Sequence, residues 1–259
     1  MSKEINYPFS NAIIFAKVME DPTIVIPFLE RVFAGRKINQ VIVTEKVQLK
    51  SEVVLQPNSI KAKGIRLDVL FKDENAWYDI EMQVTNKYNL PKRSRYYHGA
   101  LDTQALSKGA DYNTLKKSYV IFICEFDPFK KDSPVYYFEN YDVENDLPLN
   151  DESYTIMVNT KSTKLNIPEE LKNIFDYINT GEFNPNDSLL VGIHSKVEEL
   201  QGNEEVLTII TLEQQHELEK KWERNEAKLE VAIEMKTAGE PIEKIAKYTK
   251  LSIEEIEKL

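Results

Sequence analysis

Carboxylate and amide side chains recur at every second position in the stretch 76–83, which reads AWYDIEMQ. Successive side chains of a β-strand point to opposite faces, so Asp79, Glu81 and Gln83 would share one face. The stretch before it alternates in the same way and contains Asp68. Two alternating runs joined by a short polar turn predict a β-hairpin that gathers acidic groups on one surface.

The length of the hairpin turn decides which side chain lies opposite Asp68. An even turn would pair Asp73 with Ala76. It would then set Asp68 directly opposite Glu81, whereas an odd turn would set Asp68 opposite the apolar Ile80. A carboxylate against an apolar face is costly unless it is paired or binds a metal. We therefore predict the even turn.

Two adjacent carboxylates repel each other, so one of them stays protonated or a cation lies between them. Carboxylate oxygens are ligands for Mg²⁺ or Mn²⁺, and Mg²⁺ usually combines one or two carboxylates with waters and a substrate phosphate. Such an ion polarises a phosphoryl oxygen and activates a bound water. Metal-assisted phosphodiester hydrolysis is therefore the reaction class that Asp68 and Glu81 indicate.

The acidic face also has a simpler explanation, an antiparallel hairpin with one face in water. In this interpretation the face formed by Tyr78, Ile80 and Met82 is the buried one. We expect Asp79 to be a solvated strand residue in either case.

Basic side chains follow the hairpin, at the start of the next predicted helix: Lys87, Lys92, Arg93 and Arg95. At about 100° per residue, Arg93 shares one stripe of that helix with Tyr97 and Gln104. The stripe could face the acidic residues. We expect Arg93 to hold phosphate through its planar guanidinium, with packing of the helix under the sheet as the alternative.

The composition is that of a soluble globular chain of 259 residues with 42% apolar residues and a formal net charge of -10. Residues 1–130 hold 19 Lys and Arg against 15 Asp and Glu, while the remainder is strongly acidic. A polyanion would therefore meet the first part of the chain. No membrane span or secretory signal is evident, which predicts a cytoplasmic protein. Cys124, the single cysteine, excludes an intrachain disulfide.

The order of elements in the first 130 residues is helices, three strands, a helix and a strand, with Cys124 in the last of these. Further strands and helices follow to about residue 200. The segment 203–259 is predicted to form a long charged helix and two short helices, the second with a capping box from Ser252 to Glu255. We predict two parts, 1–200 and 203–259.

This order, with an aspartate in one strand and a Glu-x-polar pair in the next, resembles the PD-(D/E)xK nuclease superfamily. The runs LDVLF, WYDIEMQ, KRSRYYHGALDTQAL and SKGADYNTLKKSYVIFICEF resemble the recombination-promoting nuclease (Rpn) family, also called PD-(D/E)xK family transposases. The resemblance covers roughly residues 7–160, and the C-terminal tail resembles that family's ending. It implies a restriction-endonuclease-like α/β fold, an αβββαβ core with a mixed central sheet flanked by helices, here with a C-terminal helical extension.

The resemblance also implies roles for individual residues. Asp68 and Glu81 would bind Mg²⁺ or Mn²⁺, and the backbone carbonyl of Met82 would complete the ligands. Gln83 stands where the superfamily usually has Lys; its amide can orient a water but carries no charge. With Arg93, Lys87 and Gln104 as phosphate-binding residues, the expected activity is metal-dependent DNA endonuclease cleavage linked to recombination or transposition. Gln104 matches a helix position that is often polar in related nucleases.

Two alternatives stay open. The chain could be a catalytically inactive nuclease-fold module that binds DNA or protein through its C-terminal helices, or an α/β scaffold in which Asp68 and Glu81 lie far apart. The last helix pair resembles a helix-turn-helix, but its second helix is acidic at Glu254, Glu255 and Glu257. DNA reading favours basic or amide side chains, so packing or oligomerisation is the better prediction. A homodimer would suit cleavage of both strands.

Overall fold

The computed structural model describes residues 7–33, 48–55, 65–72, 74–164 and 166–259, without the side chains of 48–55, 65 and 66. The chain divides into two compact units, Met1–Asn203 and Glu204–Leu259. The first of the three predicted strands corresponds to the β-branched stretch 41–56; its part at 48–55 is confirmed, and the remainder lies outside the described residues.

A six-stranded mixed sheet forms the centre of the first unit. The strands of the described residues are β1 (Gln48–Leu55), β2 (Ile65–Lys72), β3 (Ala76–Gln83), β4 (Lys117–Cys124), β5 (Val135–Phe138), β6 (Tyr141–Asp142), β7 (Leu147–Pro148) and β8 (Ser153–Asn159). The large sheet has the order β1-β2-β3-β4-β8-β5, and β6 pairs with β7 alone. β3, β4 and β8 run parallel, whereas β1, β2 and β5 join by antiparallel pairing.

Helices flank the sheet and form the second unit. They are α1 (Ala12–Val18), α2 (Pro22–Phe33), α3 (Leu90–Ala105), α4 (Glu169–Thr180), α5 (Ser188–Gln201), α6 (Glu204–Thr237), α7 (Ile242–Thr249) and α8 (Ile253–Glu257), with a short 3-10 helix at Tyr112–Thr114. The predicted mixed α/β fold is confirmed, because β1, β2, β3, α3 and β4 follow the N-terminal helices in the expected order.

The register of the β2–β3 hairpin is the even one. Lys72 pairs with Trp77 and Val69 pairs with Ile80. Continued by one residue, this register places Asp68 opposite Glu81. The prediction of an even turn is confirmed by these flanking pairs, although Asp73 itself lies outside the described residues.

The two faces of the sheet are covered by different helices. On one face Tyr78 stacks on Tyr119, with ring centroids 4.9 Å apart, and Phe33 of α2 meets Tyr119 edge-on. On the other face, Tyr97 and Leu101 of α3 belong to one apolar cluster with residues of β2 and β4. The simpler explanation, a hairpin with one face in water, is therefore wrong: both faces of β3 are buried, because α3 packs over the polar one.

The sequence between β3 and α3 explains where this covering helix begins. Pro91 lies at the first turn of α3, where its fixed φ suits the helix and its missing N–H costs nothing. Leu90, Tyr97 and Leu101 then recur at helical spacing and are all buried. The helix consequently leaves the end of β3 and folds back along the sheet, with Arg93 in its first turns above the acidic residues.

The second unit is a long helix with a small helical pair at its end. Ala232 of α6, Ile245 of α7, and Leu251 and Ile256 around α8 form its apolar core. Ser252 and Glu255 form the predicted capping box. No helix among the described residues has the length and apolarity needed to cross a lipid bilayer.

Candidate active site

Asp68 and Glu81 are joined by two reciprocal hydrogen bonds. The backbone N–H of Asp68 donates to Oε1 of Glu81 at 3.2 Å, and the backbone N–H of Met82 donates to Oδ2 of Asp68 at 3.1 Å. These contacts lie one position beyond the last pair of the β2–β3 ladder, Val69 with Ile80. Side-chain carboxylates thus satisfy backbone donors there, which fixes both carboxylates beside each other.

Arg93 contacts the same carboxylate from α3. Its guanidinium makes an ion pair with Oε2 of Glu81, whose side chain is 2% exposed, while that of Arg93 is 25% exposed. Its Nη1 donates to Oε1 of Gln83 at 2.8 Å, and its Nη2 donates to the hydroxyl of Tyr97 at 2.9 Å. A buried carboxylate needs such a partner, and the planar fork of Arg93 serves three acceptors together.

Gln83 connects the guanidinium to the backbone of the strand. Its Nε2 donates to the carbonyl of Met82 at 2.8 Å, while its amide oxygen accepts from Arg93. Glu81, Met82, Gln83 and Arg93, which the sequence assigned to one site, therefore lie within one hydrogen-bond network. The carbonyl of Met82 belongs to that network and lies next to Glu81 in the chain.

Asp79 is the residue for which the sequence prediction was wrong. It is 0% exposed, and neither of its carboxylate oxygens has a hydrogen-bond partner of good geometry among the described residues. The sequence pattern marked it as solvated because alternation alone does not show that a helix covers the polar face. The signal that could have found it is the apolar spacing of Tyr97 and Leu101 in the following helix.

Burial and mutual repulsion perturb the acidic groups strongly. Desolvation, reinforced by the charge of Asp68, raises the pKa of Glu81 to about 8, although Arg93 opposes the shift. Desolvation and then the charge of Glu81 raise the pKa of Asp79 well above its usual range. These are the two effects expected when carboxylates share a poorly solvated space. This cluster of carboxyl groups therefore favours the binding of a proton or a cation.

The donor set fits a hard divalent cation. Asp68 and Glu81 supply carboxylate oxygens and Met82 supplies a carbonyl oxygen, which are the ligand types of Mg²⁺ and Mn²⁺. The carboxyl group of Asp79, for which no hydrogen-bond partner is found in the described part of the chain, lies on the same face of β3 as Glu81. No three His, Cys, Asp or Glu side chains among the described residues form a complete ligand cluster, so waters or substrate oxygens would have to complete the coordination.

For the other two predicted phosphate-binding residues, Lys87 and Gln104, no contact with the acidic residues is found among the described residues. Lys87 is exposed in the connection between β3 and α3, and Gln104 is exposed near the end of α3. Eleven residues separate Gln104 from Arg93, which corresponds to roughly 16 Å along a helix axis. Tyr97 is the member of the predicted stripe that joins the site, and burial followed by the charge of Glu81 raises its pKa.

His98 has a packing role. Its Nδ1 lies 2.7 Å from the hydroxyl of Ser118 and its Nε2 lies 3.1 Å from the hydroxyl of Thr155. Burial lowers the pKa of His98 to about 4, so the ring is neutral at physiological pH. Ser94 also bonds to Thr155. This network attaches α3 to β4 and β8 and so holds Arg93 over the strand.

The family of the chain is shown by a comparison with protein-family models. Residues 7–180 match the model described as PD-(D/E)XK nuclease family transposase. The chain belongs to this family. The match contains the whole hairpin, α3 and the parallel strands that carry the site. Comparisons with curated proteins and with solved structures give no match.

Membership of the PD-(D/E)XK nuclease family transposases implies a nuclease hydrolase with DNA as its substrate. Nucleases of this class generally use divalent metals. The mixed central sheet with flanking helices agrees with the PD-(D/E)XK nuclease fold. The acidic residues of the β2–β3 hairpin are thus the candidate active site of this family member.

Proposed function

We propose that the chain is a DNA endonuclease that depends on Mg²⁺ or Mn²⁺ and acts in recombination or transposition. The observation that carries the proposal is the reciprocal pairing of Asp68 and Glu81 at the end of the β2–β3 ladder. It places two carboxylates side by side in a poorly solvated pocket, next to a guanidinium. That combination suits a metal ion and a phosphate together.

Asp68, Glu81 and the carbonyl of Met82 would hold the ion. When bound there, it would polarise the scissile phosphodiester and lower the pKa of a water. Gln83 would orient the attacking water through its amide, in place of the charged Lys of the wider superfamily. Arg93 would supply the missing positive charge to the phosphate, because its guanidinium already reaches both Glu81 and Gln83.

A supercoiled-plasmid nicking assay with Mg²⁺ or Mn²⁺ tests this function. We expect nicking by the wild type and its loss in Asp68→Asn and Glu81→Gln, which keep the side-chain shape but remove the charge. Glu74→Gln is the matched control, since Glu74 is an exposed carboxylate at the turn of the same hairpin. Equal nicking by the wild type and by both site variants would refute the assignment.

A second function is favoured by one observation. Arg93 and Gln83 already satisfy Glu81 and the Met82 carbonyl from within the chain, so the fold does not need a metal to neutralise them. This arrangement suits a nuclease-fold module that binds DNA or protein without cutting. Calorimetric titration with Mn²⁺ separates the two functions, because only a metal-dependent nuclease requires heat that depends on Glu81.

A further inference from the structure

Three parallel strands end at one edge of the sheet, and the candidate active site lies at that edge. Gln83 at the end of β3 pairs with Cys124 of β4, and Cys124 pairs with Asn159 of β8. Neighbouring strands lie about 4.8 Å apart, so the segments that follow β4 and β8 begin within roughly 10 Å of the end of β3. Loops 125–134 and 160–164 therefore border the site.

These two loops are tied to each other by hydrogen bonds. The backbone N–H of Thr163 donates to Oδ1 of Asp132 at 2.8 Å, and the hydroxyl of Ser162 donates to the carbonyl of Asp132 at 3.2 Å. Asn159 donates to the carbonyl of Ser133 at 3.2 Å. We call the loops 125–134 and 160–164 the paired-loop surface, because these bonds make them one connected surface.

The lysines of this surface point to solvent while its aspartates are engaged within it. Both aspartates, Asp127 and Asp132, accept several bonds from inside the loops; for Asp127 the donors are backbone N–H groups and the Tyr136 hydroxyl. The exposed cations are Lys130, Lys131, Lys161 and Lys164. None of them takes part in the ion pairs found among the described residues.

One lysine is held across the two loops. The ammonium of Lys164 lies 3.4 Å from the carbonyl of Lys131, so the positive charge of the second loop lies over the first. Two further exposed lysines follow β3: Lys87 in the connection to α3 and Lys92 in the first turn of α3.

We propose that the paired-loop surface binds the phosphate backbone of duplex DNA beside the position of cleavage, without reading its sequence. This inference rests on the proposed function, since it uses DNA as the substrate. Lysine is a compact point charge on a flexible stem, which suits phosphate contact at varied positions.

The salt dependence of DNA binding tests the surface directly. Each neutralised phosphate contributes about 0.9 to the slope of log affinity against log salt concentration. In the variant with Lys130, Lys131, Lys161 and Lys164 all changed to Gln, the magnitude of the slope is expected to be smaller than in the wild type by about 3.6. The measurement is fluorescence anisotropy of a labelled short duplex, with EDTA present to prevent cleavage.

A matched variant removes the same charge from the second unit. It changes four exposed lysines of α6 and α7, namely Lys220, Lys221, Lys228 and Lys247, to Gln. We expect it to keep the wild-type slope. Two double variants change one loop each: Lys130→Gln with Lys131→Gln, and Lys161→Gln with Lys164→Gln. Each should show about half of the slope reduction expected for the four-lysine loop variant. Thermal unfolding of all variants checks that each one folds.

A wild-type slope in the folded four-lysine loop variant would overturn the inference and leave the proposed function intact. Equal losses in the loop variant and in the α6 and α7 control would also overturn it, because the effect would then be one of net charge. Failure of the wild type to bind the duplex at any salt concentration would remove the DNA substrate itself, and with it the proposed function as well as this surface.

Discussion

The acidic end of the β2–β3 hairpin and the long helix α6 use the same residue types in opposite ways. In the hairpin, Asp79 and Glu81 are at most 1% exposed and lie among other charges. In α6, Glu217 and Lys220 pair 3.8 Å apart with about half of each side chain exposed. Charged residues in α6 keep a helix soluble, whereas those in the hairpin are held out of water.

The difference between the two regions is one of burial and not of the number of charges, and burial is what makes the hairpin the candidate active site. Removing a carboxylate from water is costly, so a buried one needs a specific partner or holds a proton. Arg93 is that partner for Glu81. For Asp79 no comparable partner is found among the described residues. The perturbed pKa values of this pocket make it a stronger candidate site than any charged stretch of α6.

The largest expected difference between the two regions is in the nicking rate after an arginine is replaced, Arg93 beside the hairpin or Arg224 in α6. Arg93→Gln should lower the nicking rate by about 100-fold, because a preorganised positive charge beside the phosphate is lost. The same change should also increase the affinity for Mn²⁺, because the Glu81 carboxylate is then no longer ion-paired with a guanidinium. Arg224→Gln in α6 is the control; Arg224 is exposed and donates to a backbone carbonyl of its own helix.

An Arg93→Gln variant with weaker Mn²⁺ binding would contradict this account. It would mean that the main effect of the Arg93 guanidinium is to hold the Glu81 carboxylate in position for the metal, and not to compete with the metal for that carboxylate. A reduced rate in Arg224→Gln of similar size would remove the contrast between the regions.

The next effect is the pH dependence of metal binding. The pKa of Glu81 is raised to about 8, so below that pH the carboxyl holds a proton that a metal must displace. Metal affinity should therefore fall as the pH falls below 8, by up to about tenfold per unit, and level off above it. Calorimetry in buffers of different ionisation enthalpy would measure the released proton. An affinity that is constant between pH 6 and 8 would contradict the prediction.

A smaller effect concerns stability. The raised pKa of Asp79 means that the folded state binds this proton more tightly than the unfolded state. Its contribution to stability is thus present at low pH and declines as the pH rises through the folded-state pKa. Asp79→Asn cannot ionise, so it should raise the free energy of unfolding by about 1 kcal/mol in alkaline buffer and change it less in acid.

Urea unfolding of wild type and Asp79→Asn at several pH values measures this effect. Glu223→Gln in the exposed part of α6 serves as the control. A loss of stability in Asp79→Asn that is independent of pH would show that the buried carboxylate has a partner that the amide cannot replace.

The smallest effect is expected in α6. A double-mutant cycle on Glu217 and Lys220, each changed to Gln, should give a coupling energy close to the error of the urea midpoint. The pair is exposed, so water and salt screen it. A coupling energy as large as the effect of Asp79→Asn would mean that exposure does not separate the two regions.

The sequence predicted the backbone of the site well because two independent constraints coincide there. Alternation determines which side chains share a face, and the cost of an unpaired carboxylate selects the even register. The prediction that Asp68 lies opposite Glu81 therefore agrees with the hairpin as it folds. The capping box from Ser252 to Glu255 was predictable for a similar reason, since it depends only on local spacing.

Properties that depend on the packing of two or more helices or strands could not be predicted in this way. The burial of Asp79 depends on α3 crossing the sheet, and the strand pattern contains no information about that packing. The predicted stripe from Arg93 to Gln104 took account of the angle around the helix and not of the distance along it. Arg93 contacts Glu81 and Gln83, and Tyr97 contacts Arg93, whereas Gln104 lies roughly 16 Å from Arg93 along the helix axis. The paired-loop surface arises because parallel strands end at the same edge, which requires the strand order.

Calorimetric titration of Mn²⁺ into the wild type and Glu81→Gln, at a pH above 8, tests the central claim most directly. The account predicts a saturable binding heat in the wild type and its loss in Glu81→Gln, with Glu74→Gln like the wild type. Identical heats in the wild type and Glu81→Gln, or no heat in either, would contradict the claim that the β2–β3 hairpin holds a catalytic metal.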